Sequence, residues 1–427
     1  MKLFVTILEE TCGAAIDAIR ALRHEHDGVE VRAERFPSID LHAIRAATEK
    51  QIILTYRTGA TGVQPVGRVA NESSDALAAG IDLVDVEWHD GVEIDVPERT
   101  VLSHHDYEGV RDVERIFAAM RARGCAHTKL AATPLDFADN LRLLSLLPGT
   151  VIGMGERGLY SRILAPFKGA ELAFVAATHV AAPGQLTLER ALEIYGRGLL
   201  RAEKVFAVAG NPAGHSLSPS IHNRLFREKG VPAAYTIASV ERFAELTGAF
   251  LRGEPCGLSV TAPFKDDAYA FAQEQGAEIG ENAARARAVN TLVNIDGKIL
   301  ADNTDVDGFA ALLPRARSAG IVGAGGTARA ARVALENAGI PATVFNRTAS
   351  KADAPLEALA GFDGDLIINT LPAGAGVAIP PCRTYIEAAY GGETREVEAA
   401  QRIGGLELLH AQAIRQHELF MKVFHGL

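Results

Sequence analysis

Two rhythms of apolar and polar positions alternate along the first half of the chain. Runs of strand length, rich in Val, Ile and Leu, recur at Lys2–Leu8, Gly28–Glu34, Gln51–Arg57, Ile81–Glu87, Thr100–His105, Cys125–Ala131, Thr150–Met154 and Glu171–Ala176. Between them, stretches such as Cys12–His24, Glu108–Arg123 and Pro134–Leu147 repeat apolar residues at helical spacing. Eight strands, each followed by a crossover, predict an α/β fold of the (β/α)8 TIM-barrel type. An open doubly wound sheet shares the alternation, so the strand count carries the assignment. The helix-period stretch Leu188–Ala202 ends the series, and Lys204-Val205-Phe206-Ala207-Val208-Ala209-Gly210 opens a new strand. A domain boundary is therefore expected near residue 203.

Several of these strands end in charged or catalytic-type residues: Glu30 and Arg32, Arg57, Glu87, His105 and Lys129. A buried strand tip is a costly place for charge unless the tips converge on a polar ligand. A barrel supplies that convergence, because all eight C-terminal ends meet around one mouth.

At 427 residues the chain exceeds one ordinary core, which predicts two or three domains. A formal net charge of -10 argues against a nucleic-acid partner. Cys12, Cys125, Cys256 and Cys382 are scattered without a CxxC pair, so no metal site is expected and a reducing, cytoplasmic location fits. The apolar opening meets Glu9-Glu10 almost at once, and no later run is long enough to span a membrane. The expected partners are small-molecule substrates, with a homodimer the assembly to test for.

In the second half, Gly320-Ile321-Val322-Gly323-Ala324-Gly325-Gly326-Thr327-Ala328 reads as a strand, a glycine turn and a helix start. Such a turn admits a pyrophosphate close to the backbone, with its charge met by the helix N-terminus. A second strand, Ala342–Phe345, leads into Asn346-Arg347-Thr348, with Lys351 nearby. An acidic residue there would read the ribose of NAD; Arg347 instead suits the 2′-phosphate of NADP.

The order of motifs carries a resemblance in each half. Val29-Glu30-Val31-Arg32, Leu54-Thr55-Tyr56-Arg57, Leu102-Ser103-His104-His105-Asp106, Thr128-Lys129, Ser161-Arg162 and Pro183-Gly184-Gln185 resemble type I 3-dehydroquinate dehydratases over residues 1–202. The resemblance implies that Lys129 forms a Schiff base with a ketone substrate, giving an iminium that acidifies the neighbouring carbon. Partial burial among cationic neighbours is expected to favour the neutral amine that this attack needs. His105 would remove the carbon proton and return it to the leaving hydroxyl. Arg162 would clamp the substrate carboxylate, while Glu30, Arg32, Arg57 and Gln185 position the ring and its hydroxyls. Two positions depart from the family pattern: Thr61 stands where an acidic residue is common, and Ala181 where a serine is. Glu87 is the other acid available to such chemistry.

The second half resembles shikimate dehydrogenase, a two-lobed α/β module with a Rossmann NADP-binding domain. The resemblance rests on Gly210-Asn211-Pro212-Ala213-Gly214-His215-Ser216-Leu217-Ser218-Pro219, Ser259-Val260-Thr261-Ala262-Pro263-Phe264-Lys265, Ala288-Val289-Asn290-Thr291 and Asp302-Asn303-Thr304-Asp305. It implies that Lys265 gives the proton in a ketone reduction, with Asp305 holding its geometry and charge state. Ser216, Ser218, Thr261, Asn290, Tyr390 and Gln412 would bind a triol substrate. Gly323, Ala324, Gly325, Gly326, Thr327, Ala328, Asn346, Arg347, Thr348 and Lys351 would hold NADP. The substrate lobe would comprise 203–304 and 412–427, and the cofactor lobe 305–411. Ser259 replaces a common asparagine, Leu371 a threonine in Asn369-Thr370-Leu371-Pro372-Ala373-Gly374, and Gly392 a proline between Tyr390 and Thr394.

The combined expectation is a bifunctional enzyme. It would dehydrate 3-dehydroquinate to 3-dehydroshikimate and reduce that product to shikimate with NADPH. Two other readings stay open on sequence alone: a quinate or shikimate dehydrogenase using NAD, and a metabolite-sensing regulatory protein with an inactive barrel.

Overall fold

A computed structural model describes residues 1–57, 74–177, 183–196, 199, 201–372, 374–391 and 396–425. Thr58–Gly62, Ala181, Ala373, Gly392 and Thr394, all singled out in the sequence, lie outside the described residues. The chain divides into two units, Met1–Glu203 with Phe226–Val240, and Lys204–Leu225 with Glu241–Leu427.

The first unit carries the eight expected strands: β1 Lys2–Ile7, β2 Gly28–Arg32, β3 Gln51–Thr55, β4 Leu83–Glu87, β5 Thr100–Asp106, β6 His127–Ala132, β7 Thr150–Gly153 and β8 Leu172–Ala176. They pair in parallel in the order β7-β6-β5-β4-β3-β2-β1-β8, so the last strand returns to the first. At the seam between β7 and β8, Glu171 N donates to Gly149 O at 3.0 Å and Leu172 N to Thr150 Oγ1 at 3.2 Å. Parallel strands buried on both faces explain the nearly unbroken apolar runs. Several helices begin where a short polar side chain can take a free backbone N–H. Thr11 caps Cys12–Ala21, Asp136 caps Phe137–Ser145 and Thr187 caps Leu188–Tyr195. The last of these stops earlier than the periodicity suggests, because Gly196 leaves the helix with φ 62°.

Register decides what the barrel encloses. Side chains alternate between faces along a strand, and the ladders pair Phe4 with Gly28, Thr6 with Glu30, Thr55 with Asp85, Glu87 with Ser103, and Ser103 with Lys129. Near the strand starts the inward residues are apolar, and Phe4, Ile53, Leu83, Val101, Leu172 and Phe174 pack as one cluster. Two or four positions later the same faces carry Thr6, Glu30, Thr55, Asp85, Glu87, Ser103, His105 and Lys129. The barrel is thus filled by hydrocarbon near the strand starts and by charge toward their C-terminal ends.

The second unit contains two further sheets. One includes β9 Lys204–Gly210, β11 Gly257–Val260, β12 Glu278–Ile279, β13 Thr291–Ile295 and β14 Lys298–Asp302. In it β11 runs parallel to β9 and antiparallel to β13. The other is wholly parallel, in the order β17-β16-β15-β18-β19-β20 (β15 Ala319–Val322, β16 Ala342–Asn346, β17 Ala354–Pro355, β18 Leu366–Asn369, β19 Cys382–Glu387, β20 Ala399–Ile403). This is the Rossmann-like arrangement expected from the glycine turn after β15. The C-terminal helix Gly405–His425 packs on the helix Asp305–Leu312 and on β13. Among the described residues no helix is long and apolar enough to cross a membrane.

Gly28 faces the barrel interior, where a Cβ would collide with the Phe4 ring and the Gln51 carbonyl. Gly28→Ala should destabilise the barrel by about 1–3 kcal/mol through overpacking. The single tryptophan, Trp88, directly follows β4 and reports on this unit. Denaturant unfolding followed by its fluorescence should shift to lower midpoint, and superimposable curves would refute the packing argument.

Candidate active sites

In the barrel, Lys129 is only 4% exposed, and its Nζ sits 3.9 Å from the centroid of the Phe174 ring. It donates to Glu30 Oε1 at 3.1 Å and to Asp85 Oδ2 at 3.4 Å. The nearest charges around this amine are therefore carboxylates, and not the cationic neighbours expected from sequence. Glu30 also accepts from Thr6 Oγ1 at 2.8 Å and Thr55 Oγ1 at 3.2 Å. Burial alone would push its carboxyl up; Lys129, Arg32, Arg57 and the Thr6 hydroxyl outweigh it and hold the group down at about 2.

His105 and Arg57 complete a second cluster two residues further along their strands, toward the C-terminal ends. Arg57 pairs with Glu87, and its Nη2 lies 3.3 Å from Asp85 Oδ1. Ser103 Oγ donates to Asp85 Oδ1 at 2.6 Å. His105 Nδ1 lies 2.9 Å from Glu87 Oε2 and 2.6 Å from Arg57 Nη1. Burial, then Arg57 and Lys129, hold the imidazole well below its ordinary range, so the ring is a neutral base near neutral pH. Gln185 Nε2 reaches the network through Thr6 Oγ1 at 3.2 Å. Arg32 turns to Glu34, with an N–O separation of 2.6 Å.

Arg162 sits apart from these hydrogen bonds among the described residues. Its Nε donates to Gly153 O at 2.9 Å, and it lines a cavity of about 340 Å³ with Phe174, Leu186 and Tyr195. Burial draws its guanidinium down to about 10. Phe174 both lines this cavity and carries Lys129 Nζ on its ring. Asp85 and Thr6 were not picked out from the sequence. The signal for Asp85 is its two-residue spacing from Glu87 within Leu83-Val84-Asp85-Val86-Glu87, which turns both carboxylates inward.

In the second unit a cleft of about 620 Å³ is lined by Ser216, Ser218, Thr261, Lys265, Asn290, Asp305, Tyr390 and Gln412, among others. The expected catalytic and substrate residues of this half therefore share one site. Lys265 Nζ donates to Asp305 Oδ2 at 2.5 Å and to Thr327 Oγ1 at 2.9 Å. Asn290 Nδ2 holds the other oxygen of Asp305 at 2.9 Å. Thr304 Oγ1 donates to Gln412 Oε1 at 3.0 Å, tying the C-terminal helix to the same network. Ser259, where an asparagine was expected, is committed to Gln416 Oε1 at 2.6 Å. Gln416 in turn donates to Asn290 O at 3.2 Å and Thr291 Oγ1 at 2.8 Å. Its signal was the four-residue spacing from Gln412, which puts both amides on one helix face.

Beside Thr327 the glycine turn has the shape of a dinucleotide cradle. Gly323 has φ 107°, a conformation that L side chains rarely adopt, and a Cβ on Gly325 would meet only open space. The helix Gly326–Asn337, with Ala328 in its first turn, presents its N-terminus there. Ala324 lies in the same turn. After β16, Asn346 Nδ2 donates to Thr348 O at 3.4 Å, while Arg347 and Lys351 are exposed. Arg347 makes no ion pair among the described residues. The residues present fit an anionic dinucleotide. Among the described residues no group of three or more His, Cys, Asp or Glu is placed to hold a metal ion.

Residues 3–197 match the sequence model of type I 3-dehydroquinase, and residues 208–292 match that of the shikimate dehydrogenase substrate binding domain. The chain is 28% identical over 471 residues to the chloroplastic bifunctional 3-dehydroquinate dehydratase/shikimate dehydrogenase of Arabidopsis thaliana, covering 92% of this chain and 77% of that protein. It is 32% identical over 256 residues to a shikimate dehydrogenase (NADP(+)) of Shewanella halifaxensis, covering 51% of this chain and 90% of that protein. It also matches the pentafunctional AROM polypeptide of Yarrowia lipolytica at 28% identity, spanning 97% of this chain but 30% of that much longer protein.

The low Glu30 carboxyl sets the sign of an acid effect. An ionised Glu30 contributes stability that is fully present above its ordinary 4.5 and is lost as pH falls through about 2. The unfolding free energy of the barrel, followed by Trp88 fluorescence, should therefore fall across that window. Glu30→Gln should flatten this part of the profile, and parallel profiles would show that Glu30 does not carry the effect.

Proposed function

The chain belongs to the type I 3-dehydroquinase family in its first half and to the shikimate dehydrogenase family in its second. From that premise we propose that it catalyses consecutive steps, dehydrating 3-dehydroquinate to 3-dehydroshikimate and reducing this ketone to shikimate with NADPH. The observation that carries the proposal is that each half holds one lysine amine against carboxylates inside a polar site: Lys129 beside Glu30 and Asp85, and Lys265 beside Asp305.

In the barrel, Lys129 condenses with the substrate ketone, and the resulting iminium is the electron sink. His105 takes the proton from the adjacent carbon and later protonates the leaving hydroxyl. Glu30 and Asp85 accept the hydrogen bonds of the amine and balance the charge of the iminium. Arg32, Arg57 and Gln185 position the substrate, and Arg162 clamps its carboxylate.

In the second unit, NADPH supplies the hydride when bound. Lys265 gives the proton to the carbonyl oxygen, and Asp305 with Asn290 fixes the direction of the amine. Thr327 joins the cofactor turn to the proton donor through one hydroxyl. Ser216, Ser218, Thr261, Tyr390 and Gln412 meet the hydroxyl and carboxylate groups of the substrate. Gly323, Ala324, Gly325, Gly326, Thr327 and Ala328 cradle the pyrophosphate. Asn346, Arg347, Thr348 and Lys351 take the 2′-phosphate, a role supported by the exposure of Arg347 and by its making no ion pair among the described residues.

The proposed boundaries are 1–202 for the barrel, 203–304 with 412–427 for the substrate lobe and 305–411 for the cofactor lobe. Packing of the C-terminal helix on β13 supports the return of 412–427. All four cysteines are free, which supports a reducing cytoplasmic setting.

Lys129→Ala should abolish conversion of 3-dehydroquinate and its trapping on the protein by borohydride, while leaving reduction of 3-dehydroshikimate intact. Lys265→Ala should do the reverse, lowering reduction by roughly 10²–10⁴-fold. Loss of neither step, measured separately, would remove the assignments. Arg347→Ala should erode the preference for NADP over NAD by about one order of magnitude, the scale of one charge-assisted hydrogen bond. An unchanged ratio of kcat/KM values would mean that another group reads the phosphate.

A further inference from the structure

Lys265 Nζ reaches acceptors on two separate helices. Asp305, which opens the helix Asp305–Leu312, takes one N–H at 2.5 Å. Thr327, in the first turn of the helix Gly326–Asn337, takes a second at 2.9 Å. An ammonium has three N–H donors. Among the described residues these two acceptors leave one donor without a protein partner, and it is the one available to a substrate oxygen in the cleft that Lys265 and Thr327 both line. A single acceptor would let Nζ swing about it on a flexible four-carbon stem. Two acceptors on different helices fix its place.

We propose that Thr327 is a positioning residue for the proton donor: its hydroxyl, standing on the cofactor helix, sets where Lys265 delivers its proton. This rests on the shikimate dehydrogenase reading and deepens it, since the glycine turn then serves the chemistry as well as the dinucleotide. Backbone N–H groups at a helix N-terminus can cradle a pyrophosphate by themselves, so the Thr327 side chain has a separate task. Two further contacts bring the lysine to this helix. The stem lies so close to Gly326 that a Cβ there would sit 3.1 Å from Lys265 Cδ and 3.2 Å from Lys265 Cβ. Arg329, on the same helix, pairs with Asp266, the chain neighbour of Lys265, and its Nε donates to Ala286 O at 2.7 Å.

The proton count closes. The carbonyl carbon gains the hydride that NADPH supplies, and the C=O π pair takes the third proton from Nζ. The neutral amine keeps two N–H groups, still directed at Asp305 and Thr327, and regains its third proton from water. The donor therefore holds its place through the whole cycle.

Thr327→Val removes the hydroxyl and keeps the shape, and Thr327→Ser restores the hydroxyl. At saturating NADPH, Thr327→Val should lower kcat for reduction of 3-dehydroshikimate by about 10–100-fold, the scale of a group misplaced by about an ångström. The KM of that substrate should change little, and Thr327→Ser should recover most of the loss. Nitrogen NMR of the full-length, lysine-labelled protein, before any ligand is added, gives a readout independent of turnover. With its signal identified through Lys265→Ala, the Lys265 ammonium should be restricted in the wild type and in Thr327→Ser, and markedly more mobile in Thr327→Val. A wild-type ammonium as mobile as that of an exposed lysine would overturn the proposal, even if Thr327→Val failed to fold. So would an unchanged kcat in Thr327→Val, or a Thr327→Ser protein no better than it. A wild type that holds its ammonium restricted yet never reduces 3-dehydroshikimate would instead sink the dehydrogenase reading.

Discussion

Five ionisable groups enclosed near the barrel mouth, Glu30, Asp85, Glu87, Arg57 and Lys129, are tolerable only because each is paired. Moving a lone charge out of water costs far more than a domain can spare, and breaking a buried pair typically costs about 3–5 kcal/mol. The cluster holds three carboxylates and two cations, and the neutral His105 sits at its edge. The pairings run in a chain from Glu30 through Lys129, Asp85 and Arg57 to Glu87. Removing any member therefore alters the electrostatics of all the others.

The same demand shapes the second site in milder form. Lys265 and Asp305 are each a little exposed, and neutral amides and hydroxyls take up their remaining hydrogen bonds. On the proposed reading, the first site keeps a nucleophile and a base among opposing charges, and the second holds one proton donor in a fixed direction. Iminium chemistry requires a positive charge to appear and vanish on the enzyme, and neighbouring carboxylates accommodate it. Carbonyl reduction needs only a proton delivered to one oxygen, and a single salt-bridged amine suffices.

Much of this was legible along the chain. The apolar runs predicted all eight barrel strands, and the helix-period stretches Cys12–His24, Glu108–Arg123 and Pro134–Leu147 each hold a helix in the structure. Lys129 and His105 stood at strand ends, and Lys265 and Asp305 in motifs of unusual order. Less legible were residues whose importance comes from register or from distant segments. Asp85 looked like part of an apolar strand until the ladder turned it toward Lys129. Gln416 meets Ser259 and Asn290 across more than a hundred positions of sequence. Arg162 was read as the clamp for the substrate carboxylate, and only the structure shows its Nε committed to the Gly153 carbonyl.

The linear pattern by itself determined the kind and order of elements, the glycine turn and the chemical types of the key side chains. These depend on local periodicity and on steric rules that act over a few residues. Only the folded chain decided which carboxylate serves which cation, and which atom of His105 is already engaged. Pairing energy falls off within a few ångströms, and a one-residue slip of strand register would turn every side chain to the other face.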